Sequence, residues 1–109
     1  MILGATLFKM NGDPYTGIVF PRQTLKAVFA VEVSNVVGAA VLTVTVETRN
    51  RADTGWTPVG TFPPIAGSGY FPFTVAGLME LVRLTYVVAG PGPTSGMHVF
   101  TNAPQWLMD

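Results

Sequence analysis

The run Leu42-Thr43-Val44-Thr45-Val46-Glu47-Thr48-Arg49 alternates apolar and polar residues without a break. Successive side chains of a strand point to opposite faces, so Leu42, Val44 and Val46 belong on a core. Thr43, Thr45, Glu47 and Arg49 then occupy the other face. A helix would scatter those three apolar residues around its circumference. Leu25 to Ser34 alternates in the same way, with Leu25, Ala27, Phe29, Val31 and Val33 expected to face inward. Leu81 to Val88 is the third such run, with Val82, Leu84, Tyr86 and Val88 on the core side. The link between the first two is Asn35 to Ala39, containing Gly38.

Shorter strand candidates are Trp56 to Phe62, Tyr70 to Val75 and Met97 to Ala103, with weaker ones at Thr6 to Met10 and Ile18 to Phe20. Pro58 and Pro72 place their segments at sheet edges or bulges, because proline donates no ladder hydrogen bond. Turn residues punctuate the chain at Asn11-Gly12-Asp13-Pro14, Asp53-Thr54-Gly55, Pro63-Pro64, Gly67-Ser68-Gly69, Ala76-Gly77 and Gly90-Pro91-Gly92-Pro93. No segment sustains a 3.6-residue period. Short strands separated this way predict an all-β fold, a single antiparallel β-sandwich of jelly-roll-like or Ig-like form. At 109 residues the chain is long enough for one cored domain. Its expected parts are an N-terminal arm or first strand over 1–23, the sandwich over 24–103, and an apolar tail over 104–109.

Composition narrows the function. Charged residues make up 11% of the chain, against roughly 25% in a typical soluble domain. Six basic residues balance six acidic ones, which argues against nucleic acid or an anionic membrane as the main partner. A chain with few charges and no net charge tends to self-associate. Nothing between Thr54 and Met79 is charged, and nothing between Leu84 and Met108. Such neutral stretches suit packing against a neighbour, where a stray charge would be costly to desolvate. The absence of cysteine excludes disulfides, thiol catalysis and Cys-based metal centres. The N-terminus has no basic region ahead of its apolar stretch and is not read as a secretory signal. Val36 to Val46 is too short to span a bilayer.

No catalytic constellation stands out, and no cofactor or metal is expected. A Ser–His–acid triad would require His98, the single histidine, together with Asp13, Asp53, Glu32, Glu47 or Glu80. Ser34, Ser68 and Ser95 lie in no Gly-x-Ser-x-Gly elbow. Asn11-Gly12-Asp13 lacks the further acids of a calcium loop. Arg49 and Arg51 are expected to be solvated charges at a strand end, and Arg83 is placed to pair with Glu80. Trp56, directly after a turn, is expected to plug one end of the sandwich. The aromatic residues Trp56, Tyr70, Phe71, Phe73 and Trp106 belong to the core, or else form a stacking surface for sugars.

The termini carry the candidate partner contacts. Trp106, Leu107 and Met108 lie beyond the expected end of the sheet and need a surface to cover them, either their own domain or a neighbour. Leu3, Leu7 and Phe8 pose the same choice at the other end, between a first strand and an arm that joins a neighbouring sheet.

Val46-Glu47-Thr48-Arg49, Asp53-Thr54-Gly55-Trp56-Thr57-Pro58-Val59-Gly60-Thr61-Phe62 and Phe73-Thr74-Val75-Ala76-Gly77-Leu78-Met79-Glu80-Leu81-Val82-Arg83-Leu84-Thr85-Tyr86-Val87-Val88-Ala89-Gly90 together resemble a pattern in small β-sandwich structural proteins of tailed bacteriophages and related particles. There a V-x-V-E strand leads to W-x-x-L-G-x-F and then to a G-L…V-R-x-x-Y-x-V-x-G pair. Pro58, Val59 and the Trp106-containing tail depart from it. The resemblance spans roughly Leu25 to Ala103 and implies a non-enzymatic virion protein, a capsid decoration or cement subunit assembled in the host cytoplasm. Its expected partners are the major capsid protein or other virion subunits, and further copies of itself as a dimer or trimer. The alternatives are a tail-associated structural protein and a carbohydrate-binding module that uses Trp56, Tyr70 or Trp106.

Overall fold

The computed structural model describes residues 7–10, 15–17, 19–90 and 96–108, with side chains described for 16–17, 19–90 and 96–108. Ten strands follow one another without an intervening helix among these residues. They are β1 (Leu7–Met10), β2 (Tyr15–Thr16), β3 (Phe20–Pro21), β4 (Lys26–Val37), β5 (Val41–Arg49), β6 (Thr57–Thr61), β7 (Gly69–Ala76), β8 (Leu81–Ala89), β9 (Gly96–Thr101) and β10 (Gln105–Leu107). All pairings are antiparallel, and the strands divide into two sheets.

In the first sheet β4 is central. Its residues 26–33 pair with β7 along one edge. Along the other edge, residues 31–37 pair with β9 and residues 26–28 with β10, and β1 lies outside β9. The segment from Gly96 to Leu107 therefore follows one edge of β4 as an interrupted strand, with Asn102 N donating to Ala30 O at 3.0 Å across the interruption. In the second sheet β5 and β8 are central, β6 lies outside β5, and β2 and β3 share the outer edge of β8. Merging the two interrupted strands leaves four lanes in each sheet. The chain order across these lanes, with one sheet reading first, eighth, third, sixth and the other second, seventh, fourth, fifth, is that of a jelly roll.

The alternating segments bury the residues they must. Leu42, Val44 and Val46 of β5, with Val82, Leu84, Tyr86 and Val88 beside them on β8, join Phe29, Val31 and Val33 of β4 and Met97 and Val99 of β9 in one cluster. Leu25 departs from the pattern: it is 49% exposed. It lies in a bend ahead of the strand, where Thr24 Oγ1 donates to Lys26 O at 2.7 Å, so the alternation starts only at Lys26. Across the core, the Tyr86 hydroxyl and Thr101 Oγ1 lie 2.6 Å apart and tie the two sheets together.

Pro58 in β6 and Pro72 in β7 both sit on edge strands. The β5–β6 register also shifts between Val46 and Glu47, which accommodates Val59 as an extra residue. Gly60 follows that bulge, and a Cβ there would come within 3.0 Å of Phe73 Cε2, so the bare backbone lets β6 approach β7 closely. At the β4–β5 crossover Gly38 has φ 69°, a left-handed conformation that favours glycine.

Candidate functional site

The jelly roll gives the molecule two ends with different chemistry. One end gathers the links at 22–25, 50–56 and 77–80 together with the C-terminal strand, as the pairs Arg49↔Leu81, Pro21↔Leu81 and Lys26↔Leu107 require. Arg22, Lys26, Arg49, Arg51, Asp53 and Glu80 lie there, with Glu47 and Arg83 just inside. The opposite end gathers the links at 38–40 and 62–68 and the ends of the strands at Ala89 and Gly96. It is closed by the pairs Leu42↔Ile65, Val41↔Ala89 and Val37↔Gly96. Those described links carry no charge. The side chain of Lys9, whose backbone pairs with Met97, and the whole of Asp13 lie outside the described residues.

At the charged end, ionic groups mostly hold backbone. Arg22 Nη1 donates to Leu78 O at 2.6 Å, and Arg51 N donates to Glu80 Oε1 at 2.9 Å. Asn50 N donates to Asp53 Oδ2 at 2.9 Å, closing the turn, while Arg49 donates to Asp53 O. Arg83 pairs with Glu47, Nε to Oε1 at 2.8 Å, and not with Glu80. The two residues lie opposite each other on adjacent strands, whereas Glu80 is committed to the Arg51 amide. Trp56 does not plug the core. Arg83 and Arg49 lie over its ring, 4.3 and 5.2 Å from the centroid, so the indole packs with the outward-facing residues of the second sheet. Arg49 is accordingly half-buried, while Arg51 is solvated as expected.

The termini divide. Leu3 lies outside the described residues, as do the side chains of Leu7 and Phe8. The backbone of Leu7 and Phe8 pairs within the chain's own sheet, opposite Val99 and His98. Trp106 and Leu107 belong to β10, opposite Ala27 and Lys26, and extend the sandwich past residue 103. Trp106 packs against the core, its ring 6.2 Å from Phe20 in an edge-on arrangement. Met108 is 91% exposed. Val19 and Leu25 are also exposed, and Leu25 directly precedes Lys26, the residue opposite Leu107.

A groove of about 480 Å³ opens on the outer face of the first sheet. Val28 and Ala30 of β4 form its floor, Tyr70 of β7 one wall, and Asn102, Pro104 and Gln105 the other. The interruption between β9 and β10 creates it, since a continuous strand would leave a flat sheet. Asn102 Nδ2 donates to Glu32 Oε1 at 3.3 Å beside it. Of the three aromatic residues expected to serve a sugar, Trp56 is covered by arginines, Trp106 is packed on Phe20, and Tyr70 is 58% exposed. Sequence reasoning missed Asn102 and Gln105. The available signal was Pro104, a ladder-breaking residue between two amides. His98 stands on β9 with its ring 5.5 Å from that of Phe100. Among the described residues no three histidine or acidic side chains gather as a metal site would need.

The geometry defines a small jelly-roll β-sandwich with a groove on one face and, among the described residues, no charge on the links at one end. No family model, curated protein or solved structure matches the chain.

Proposed function

We propose that the chain is a non-enzymatic structural protein of a virus particle, a decoration or cement subunit that stabilises a capsid shell through contacts with shell subunits and with its own copies. The observation that carries this reading is the partition of charge, among the described residues, between the two ends of the sandwich. The links at 38–40 and 62–68 present Gly38, Ala39, Pro63, Pro64, Ala66, Gly67 and Ser68 to solvent. Such a surface packs against a neighbour without desolvating a charge. A cement subunit works by burying surface across joints, and many symmetric copies turn modest contacts into firm attachment. The jelly roll is an architecture used by capsid proteins, and the sequence pattern from Val46 to Gly90 resembles that of phage structural proteins. Leu25 and Met108 supply a second, apolar contact at the charged end.

The test is immunogold labelling of particles purified from the source of the gene, using an antiserum raised against the purified chain. Dense, even label over the head is expected. Label confined to the tail would move the protein to a tail-associated role, and particles without label would remove it from the virion.

A further inference from the structure

We propose that the groove between Tyr70 and the β9–β10 interruption is a binding site for a neutral saccharide. Its volume of about 480 Å³ falls in the range of small-ligand sites, roughly 300–1,000 Å³.

The sheet itself excludes one class of occupant. Across the groove floor β4 is paired on both edges: Val28 with Thr74 and Gln105, and Ala30 with Pro72 on one side and with the Asn102 amide on the other. An extended peptide would find no open backbone ladder there, so recognition rests on side chains. An anion is disfavoured as well. Among the described residues no lysine or arginine lines the groove, and the carboxylate beside it, Glu32, would repel negative charge.

What remains matches a sugar. Val28 and Ala30 give an apolar floor, and the Tyr70 ring stands open on an edge strand. A pyranose presents C–H groups on its faces and hydroxyls at its rim, so it stacks on such a ring while its edge remains polar. Each sugar hydroxyl both donates and accepts, as do the amide side chains of Asn102 and Gln105 on the facing wall. A wholly apolar ligand would take the exposed Gln105 amide out of water without giving it a partner. Glu32, oriented by Asn102 Nδ2, adds an acceptor for a further hydroxyl. The site is separate from the neutral end and does not depend on the structural role proposed above.

The experiment is affinity electrophoresis of the purified chain through native gels containing soluble starch, xylan, galactomannan, mixed-linkage β-glucan or dextran. It is followed by a ¹H–¹⁵N NMR titration with an oligosaccharide of whichever polymer retards it. Retardation in at least one gel is expected, with shifts at Tyr70, Asn102 and Gln105. Tyr70→Ala should weaken binding about tenfold, the loss of one stacking contact, and Trp56→Phe should leave it unchanged. Free migration in every gel, retardation indifferent to Tyr70→Ala, or shifts centred on Trp56 would each overturn the proposal. Should Tyr70→Ala not fold, Gln105→Ala decides in its place, because that side chain is exposed and its strand pairing uses only backbone.

Discussion

Thr48 interrupts an otherwise apolar inward row on β5, and it is fully buried. The hydroxyl earns its place by joining two strands: Oγ1 donates to Leu81 O at 2.7 Å and accepts from Met79 N at 2.7 Å. Both partners belong to the turn into β8, so one side chain sets the register at the charged end. Thr48→Val keeps the shape but leaves a buried amide and carbonyl unpaired. The expected cost is about 2–3 kcal/mol, read as a lower urea midpoint with an unchanged m-value. A midpoint equal to the parent's would mean that water replaces the hydroxyl. Trp56 illustrates the opposite placement, a large aromatic residue held outside the core by two guanidinium groups. Alternation alone does not reveal what holds either side chain. The pattern assigns Thr48 to the buried face, but its partners come from a distant link, and Trp56 lies outside any alternating run.

At the scale of elements, the long strands were legible because each is buried on one face and exposed on the other. β4, β5 and β8 satisfy that condition, and their inward rows match the alternation from Ala27 onward. Edge strands were legible through Pro58 and Pro72. β10 was not, because three residues after Pro104 are too few to establish a period. Its pairing with β4 also depends on a partner some 80 residues earlier in the chain, which no local pattern encodes. The groove was hidden for the same reason, since it exists only where β9 and β10 part beside β4. Trp106 makes β10 matter energetically: it stands on the first sheet and meets Phe20 of the second, which in turn lies 6.5 Å from Phe29 in the core. Trp106→Ala is expected to cost about 2 kcal/mol, less than a fully buried tryptophan because the ring is only partly covered. Met108→Asp, at an exposed position, should stay within about 0.5 kcal/mol of the parent. Thermal unfolding of the two variants checks both values. A destabilised Met108→Asp would mean that the tail is covered in solution, and an unaffected Trp106→Ala that β10 adds nothing to the sandwich.

For the molecule as a whole, the partition of charge makes a prediction about association. Contacts made through uncharged links should persist at high salt, whereas contacts between ionic groups would weaken as screening shortens their reach. Light scattering across a concentration series is expected to give a mass above the monomer that added salt does not reduce. Ala39→Asp together with Ala66→Asp, both at exposed positions of the neutral end, should return the protein to monomer. Arg51→Asp at the other end should not. Association abolished by salt, or indifferent to the paired aspartates, would place the self-contact elsewhere. Of the three described strands that carry a proline, β6 and β7 bear on how far such association can run. β6 and β7 are the outermost strands on one flank of the sandwich and touch each other there, so Pro58 and Pro72 interrupt strand addition on both layers of that side. An open fibre built edge to edge needs two receptive flanks on every copy, one to give and one to take. With one flank blocked, a pairing through the other stops after a single partner. The molecule can be abundant and weakly charged, and still not polymerise edge to edge.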